Sequence, residues 1–401
     1  MLYFFPVAST KYDKGNFPFY FSGLQSKYFK SGVIIMKKRI IAFSAIAGII
    51  VVAAIAACLV LFGGGQEPPT TEPITTTVPT TEAKDTSHVN KLTGKENLSD
   101  AAVGKRPVAI MINNLKGSLP QYGIYKADIM FEMPVEGGIT RMMALFGDYT
   151  KIPNVCSVRS CRYYFPIFAQ GYDAIYFCFG INESLARPTV EKLGIDMFNA
   201  TDNFDPKLFA RDQERLKKYS REHTAYVKGP SIPSVLKEYK TRTDILEEKN
   251  QNFFNFREEG VSKKAGDISA LEIRLDFSKL YYSTFTYDKE KKVYYKTHCG
   301  KPHMDSKENK QLNYKNVFVL ETEVKPHTDN YLVKIDWKGG TGYYISNGGA
   351  QTITWTKKSE SSPIKFYNEN GKQIKVNTGN SYIGVLSPNS TTIKGAEAAA
   401  K

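Results

Sequence analysis

The sequence predicts an α+β fold in which a mixed α/β domain precedes a mainly antiparallel β domain, both set behind a single membrane anchor and a disordered stalk. Three features of the 401 residues carry that expectation. An uncharged apolar run fills 40–62, and a stretch rich in Thr, Pro and Glu follows it. Near residue 265 the texture changes from mixed strand-like and helix-like segments to short β-branched and aromatic runs.

The apolar run is 23 residues long. At ~1.5 Å per residue that length spans a bilayer's hydrocarbon core. Lys37, Lys38 and Arg39 stand directly before it, and a cationic flank stays in the cytoplasm, so all that follows is expected on the extracytoplasmic side. Met36 and this flank read as a translation start, which makes 1–35 a spurious or cytoplasmic extension. Within the run, Ile55 to Cys58 fits a lipobox. Two alternatives therefore stand for 36–62: a retained transmembrane helix, or a lipoprotein signal with Cys58 as the lipidated residue. Residues 63–94 are expected as a stalk, because Thr, Pro and Glu bury too little apolar surface to offset the entropy of ordering. The last residues, 393–401, read as a tail.

The first folded segment is expected over 95–245, with strands at 107–112, 129–133, 140–146 and 172–179 and helices at 183–193, 206–221 and 231–239. Residues 240–265 are charged and poor in strand formers, so a boundary is placed there. The second segment, 260–392, carries runs at 271–275, 292–295, 316–322, 331–335, 342–345, 352–355, 364–367, 374–376 and 382–386. Spacing of about ten residues with Gly, Asn, Pro or Asp between runs reads as antiparallel β. Asn347-Gly348 and Asn370-Gly371 supply hairpin turns, since both residue types tolerate positive φ.

Formal charge is +14, but residues 1–65 hold seven Lys or Arg against Asp13 alone, leaving 47 basic against 39 acidic residues elsewhere. That excess is dispersed and comes with no nucleic-acid-reading module, so it implies a mild bias toward anionic partners and makes nucleic acid an unlikely one. Cys156, Cys161, Cys178 and Cys299 lie in a compartment that permits disulfides; pairing of Cys161 with Cys178 and buried free thiols both remain open. No CxxC or His/Cys cluster of metal-site spacing occurs, so no structural metal and no cofactor are expected.

The densest polar text is 130–146 with 158–165, where Glu132, Glu136, Arg141, Arg159 and Arg162 interrupt apolar surroundings. Buried singly these charges would be costly, so they are expected paired, at a cleft, or both. Gly137-Gly138 permits a bend bringing Glu136 toward Arg141, and guanidinium forks suit carboxylate or phosphate ligands. His223 and Tyr226 are further ligand-binding candidates for the same cleft. In the second segment His303 and Asp305 are candidates on one side of an extended stretch, with His298 nearby and a turn capped by Asp305 as the structural alternative.

These blocks together resemble the YerB-like lipoprotein family. Residues 106–114, 120–123, 127–128, 135–141, 158–160 with Arg162, and 172–174 are similar in order to its first domain; 302–305, 316–317, 354–357 and 371–372 are similar to its second. The family's His-Asn-Leu-Tyr block stands here as His223-Thr-Ala-Tyr226, and Cys161 and Cys178 replace residues that are commonly not cysteine. The resemblance implies an exported, membrane-attached bacterial protein of two consecutive domains and brings no established activity. The functional expectation is a cell-envelope binding or scaffolding module for an anionic wall component or envelope protein, leaning away from catalysis. The alternative is an envelope hydrolase or transferase using Glu136 or Glu132 with His223.

Overall fold

The computed structural model describes residues 87–328 and 331–395. The apolar run at 40–62, Cys58, residues 1–35 and the stalk as far as 86 lie outside the described residues. Among the described residues no helix is long and apolar enough to cross a membrane.

Continuous apolar runs become the centre of the fold. Strands β1 (Val108–Asn113), β2 (Ile129–Pro134) and β3 (Thr140–Phe146) are buried at every position. Val108, Ile110 and Ile112 enter one apolar cluster while Ala109 and Met111 enter another, so both faces of the sheet are covered. After helix α1 (Tyr164–Gln170), strand β4 (Ile175–Cys178) lies parallel to β1. Helix α2 (Ala186–Leu193) then leads to β5 (Met197–Asn199), parallel to β4.

Past helix α3 (Ile232–Glu238), two large sheets and two two-stranded ladders share the second segment. Strands β6 (Glu272–Asp276), β7 (Tyr282–Asp288) and β8 (Val293–His298) form an antiparallel layer. Its inward residues Ile273, Leu275, Phe285 and Tyr294 pack on one face of the main sheet. Strands β9 (Asn316–Glu321), β10 (Gly339–Ser346), β11 (Gly349–Thr356) and β12 (Ser381–Leu386) extend the main sheet itself. Its order is β11, β10, β9, β12, β2, β3, β1, β4, β5, with the short pieces Ile268–Ser269 and Lys365–Tyr367 added at β11. One sheet therefore runs through both segments, joined where β12 pairs in parallel with β2, Ser381 opposite Ile129 and Gly384 opposite Glu132.

Several local expectations are corrected by tertiary pairing. Residues 206–221 do not form one helix: Phe209–Arg211 is a strand paired with Ala225–Val227, and the helix is only Gln213–Leu216, capped by Asp212. The second segment is not wholly antiparallel, since β9 and β12 run parallel, and 374–376 makes only an isolated bridge. Residues 89–94, expected as the end of a stalk, are folded: Val89–Asn90 pairs with Lys95–Glu96, Leu92 is buried and Asn90 bonds Asp128. At the other end, 393–394 belongs to Thr391–Lys394, which pairs with β6. The charged connector also carries Phe253 and Phe254, buried against Tyr172 and Phe318 at ring separations of 4.8 and 5.5 Å. The four described cysteines are free thiols. Asn347 and Gly348 both take positive φ, 55° and 75°, and close the β10–β11 hairpin as expected.

Two glycines separate backbone strain from crowding. Gly137 and Gly123 have φ of 74° and 78°; a Cβ on Gly137 meets nothing, whereas one on Gly123 would stand 2.2 Å from the Asn154 carbonyl oxygen. Chemical denaturation of Gly137→Ala is expected to show only the left-handed penalty of about 1–2 kcal/mol. Gly123→Ala is expected to lose clearly more, because the Asn154 backbone must move; equal losses would remove the steric argument.

Candidate functional site

The carboxyl ends of β1, β2, β4 and β5 share one edge of the main sheet, and Arg141 at the start of β3 stands there opposite Asn113 and Met133. Arg141 is nearly sealed and donates to the Ser160 carbonyl at 2.6 Å, so it ties down the 158–162 segment, which is bridged to Ile112 and Ile181. Burial and the neighbouring Arg162 and Arg159 pull its guanidinium down to about 10, against the opposing pull of Glu136. Glu136, presented by the Gly137-Gly138 bend, pairs with Arg162. Arg159 feels Glu222 and Arg162, and its buried Nε makes no hydrogen bond. Arg211 follows in the same crowd, pulled down by burial, Arg221 and Arg159, with its guanidinium 4.7 Å above the Phe179 ring.

Five guanidiniums, Arg141, Arg159, Arg162, Arg211 and Arg221, thus face two carboxylates, Glu136 and Glu222, a surplus of three positive charges. Beside them a groove of about 800 Å³ is lined by Arg211, Arg221 and Lys228 together with Phe179, Phe204 and Phe209, and by no carboxylate. Like charges held this close favour an anion between them.

The structure gathers Glu136, Arg141, Arg159 and Arg162, sets His223 at their margin beside Glu222, and places Glu132, Tyr226, His303 and Asp305 elsewhere. His223 is buried beside the turn at 116–118; its Nδ1 lies 2.9 Å from Asn113 Nδ2 and its Nε2 3.8 Å from Glu222. Burial lowers its pKa. Neither Glu132 nor Glu136 contacts it, so the carboxylate and imidazole of the hydrolase alternative are not brought together. Tyr226 sits on Ala225–Val227 with its ring 6.4 Å from Tyr122.

Glu132 belongs to a second, sealed cluster that the sequence reading missed. Its Oε1 accepts from Asn114 Nδ2 at 2.9 Å and Thr140 Oγ1 at 2.8 Å. Its Oε2 accepts from Ser283 at 2.9 Å and Tyr382 at 2.7 Å, with Lys296 Nζ at 3.2 Å. Burial opposes ionisation, but Lys296, His298 and these hydroxyl donors outweigh it and hold the carboxyl below its usual range. Lys296 reaches on to His303 Nδ1 at 3.0 Å, and His303 Nε2 meets Gln121 Oε1 at 2.9 Å. Burial lowers the pKa of His303 and takes that of His298 down to about 4. Asp305 caps its own turn, accepting from the Lys307 and Glu308 amides, and reaches Tyr125 N at 3.0 Å. Among the described residues no three His, Cys, Asp or Glu side chains converge as a metal ion would require. The missed signal is a period of two in β8, which turns Tyr294, Lys296 and His298 inward together.

Removing one partner should expose the cost of this cluster. Lys296→Met leaves the Glu132 charge without its countercharge and is expected to cost about 3–5 kcal/mol in urea denaturation. Glu132→Gln with Lys296→Met should cost clearly less than the sum of the single changes, and simple additivity would show the pair uncoupled. His298 sets a pH dependence. Its folded pKa of about 4 lies below the ordinary 6.5, so the unfolded chain takes the proton first as pH falls. Stability is therefore lost from pH 6.5 down to about 4, by on the order of 3 kcal/mol. His303 acts in the same direction, so His298→Gln should shrink this slope without abolishing it.

Comparison with known proteins places this architecture. Residues 92–242 match the description "Protein of unknown function (DUF3048) N-terminal domain", and 273–383 match the corresponding C-terminal domain. "Putative lipoprotein YerB" of Bacillus subtilis (strain 168) is 27% identical over 291 residues, covering 70% of this chain and 81% of the relative. The crystal structure of YerB protein from Bacillus subtilis has the same fold, with a TM-score of 0.63 at 24% identity over 76% of this chain and 98% of that one. With both consecutive domains matched in order, this chain belongs to the YerB-like DUF3048 family.

Proposed function

We propose that the protein is an envelope-binding module, attached to the membrane by the 36–62 segment, whose arginine-rich edge takes an anionic wall component on the extracytoplasmic side. The single observation that carries the reading is the surplus of guanidiniums at the carboxyl edge of the sheet, opening on a groove with three cations, three phenylalanines and no acid in its lining. A phosphodiester polymer with a sugar or polyol body suits both features, its charge meeting Arg211, Arg221 and Lys228 and its apolar surfaces meeting Phe204 and Phe209. The lipoprotein name of the Bacillus subtilis relative and the apolar run at 40–62 support the location. Neither cluster offers an activated nucleophile beside a free base, which favours binding over catalysis.

Detergent-solubilised full-length protein should be retained on immobilised poly(glycerol phosphate), with retention falling as salt screens the exposed charges. Arg211→Ala with Arg221→Ala should weaken binding at least tenfold, since a charge-assisted hydrogen bond contributes about 1.5–3 kcal/mol. A neutral dextran should show no retention. Absence of binding at low ionic strength, or a double variant that binds unchanged, would contradict the assignment.

A further inference from the structure

The arginine edge leaves a second recess unexplained, one built jointly by the two family segments. The loop containing Lys116, Leu119 and Pro120 forms one wall, and residues His298 to Met304 form the other. The recess holds about 470 Å³, within the range of small-molecule sites. Its hairpin is tight: His298 pairs with Lys301 across Cys299 and Gly300, whose φ values of 49° and 80° suit a two-residue turn. Exposed Lys301 follows that turn on one wall, and exposed Lys116, its Nζ 5.1 Å from the centre of the Tyr281 ring, belongs to the other. No carboxylate lines the recess, and Leu119, Pro120, Pro302 and Met304 give it apolar walls.

The floor carries an unmet hydrogen bond. His298 is 2% exposed and lines the recess, and its Nε2 has no partner. The neighbouring His303 is fully used, Nδ1 by Lys296 and Nε2 by Gln121. The Nδ1 of His298 lies 3.4 Å from Asn114 Nδ2 and 3.9 Å from Glu132 Oε1. The two N–H groups of Asn114 go to nearer oxygens, Glu132 Oε1 at 2.9 Å and Thr140 Oγ1 at 2.7 Å, so the proton on Nδ1 is the one that faces the carboxylate. A carboxylate favours the N–H tautomer on the side facing it, so Nε2 is left with a free lone pair. Buried polar groups in folded proteins find partners. The acceptor on the floor therefore calls for a donor delivered by whatever fills the recess.

We propose that this recess is a ligand site, distinct from the arginine edge, for a small organic oxyanion carrying a hydroxyl group. The oxyanion lies between Lys116 and Lys301, the hydroxyl donates to His298 Nε2, and the carbon skeleton rests on the proline and leucine wall. Glu132 is a positioning residue here, setting the His298 tautomer without touching the ligand.

The test is an imidazole nitrogen NMR titration of full-length protein in detergent, carrying labelled histidine. Free protein should show His298 with its proton on Nδ1. Glycerol 3-phosphate and glycerate separate the phosphate from the carboxylate source, with glycerol and inorganic phosphate as single-feature controls. One of the two hydroxy-anions should shift the His298 Nε2 resonance saturably and bind at least tenfold more tightly than either control. Lys301→Ala should weaken that binding about tenfold with the spectrum of the fold unchanged, and it keeps the test valid where His298→Gln fails to fold. Arg211→Ala with Arg221→Ala should leave it unaltered, which separates this site from the edge. A proton on Nε2 in the free protein, no saturable shift with either hydroxy-anion, inorganic phosphate binding as tightly as both, or a Lys301→Ala variant that binds normally would each overturn the proposal.

Discussion

The carboxylate of Glu132 is the constraint around which the two halves of the sequence are arranged. A charge buried at 0% exposure is tolerable only if its lone pairs are met, and here the donors come from distant parts of the chain. Asn114 and Thr140 belong to the first segment; Ser283, Lys296 and Tyr382 belong to the second. Neither segment alone satisfies the group. The same residue sits on β2 at the point where β12 joins it, so the polar junction and the parallel strand pairing reinforce one another. The recess under His298 is a consequence, because Lys296 and His298 reach Glu132 from the inward face of β8 and carry the hairpin that forms the recess wall.

The Glu132 cluster and the arginine edge treat charge in opposite ways. At Glu132 the donors and the countercharge match the carboxylate closely, leaving little to attract a charged ligand. At the arginine edge the matching is incomplete: Arg141 is spent on the Ser160 carbonyl, Arg162 on Glu136 and one N–H of Arg211 on the Arg221 carbonyl, while Glu222 is the carboxylate that acts on Arg159. Charge left over on a rigid sheet edge is available to a partner. The neighbouring phenylalanines make that partner one with apolar surface as well as negative charge.

How much of this was legible in the sequence depended on whether the signal was local. The strands at 107–112, 129–133 and 140–146 stood out because sheets buried on both faces need continuous apolar runs, and Asn347-Gly348 marked its hairpin through backbone chemistry alone. Isolated charges in apolar text must find partners, and of the five grouped on that ground Glu136, Arg141, Arg159 and Arg162 lie together while Glu132 does not. Helix Tyr164–Gln170 was not, because it is apolar all round and carries no 3.6-residue period. The 206–221 segment misled for the reverse reason: its helical charge pattern was overridden when Phe209–Arg211 found a strand partner. His298 was marked only as a neighbour of His303 and Asp305, and Lys296 carried no local signal in a lysine-rich stretch. Only the long-range partner Glu132, more than 160 positions earlier, explains why they point inward.

If Glu132 and the β2–β12 pairing bind both segments into one folding unit, the segments cannot open separately. Native-state hydrogen exchange of the full-length protein, read on β1 to β3 and on β6 to β9, measures this directly. The account predicts one shared opening free energy for the most protected amides of both groups, and a common fall in both when Glu132 is replaced by Gln. Protection that persists in 108–146 while 272–321 exchanges through its own lower-energy opening would contradict it.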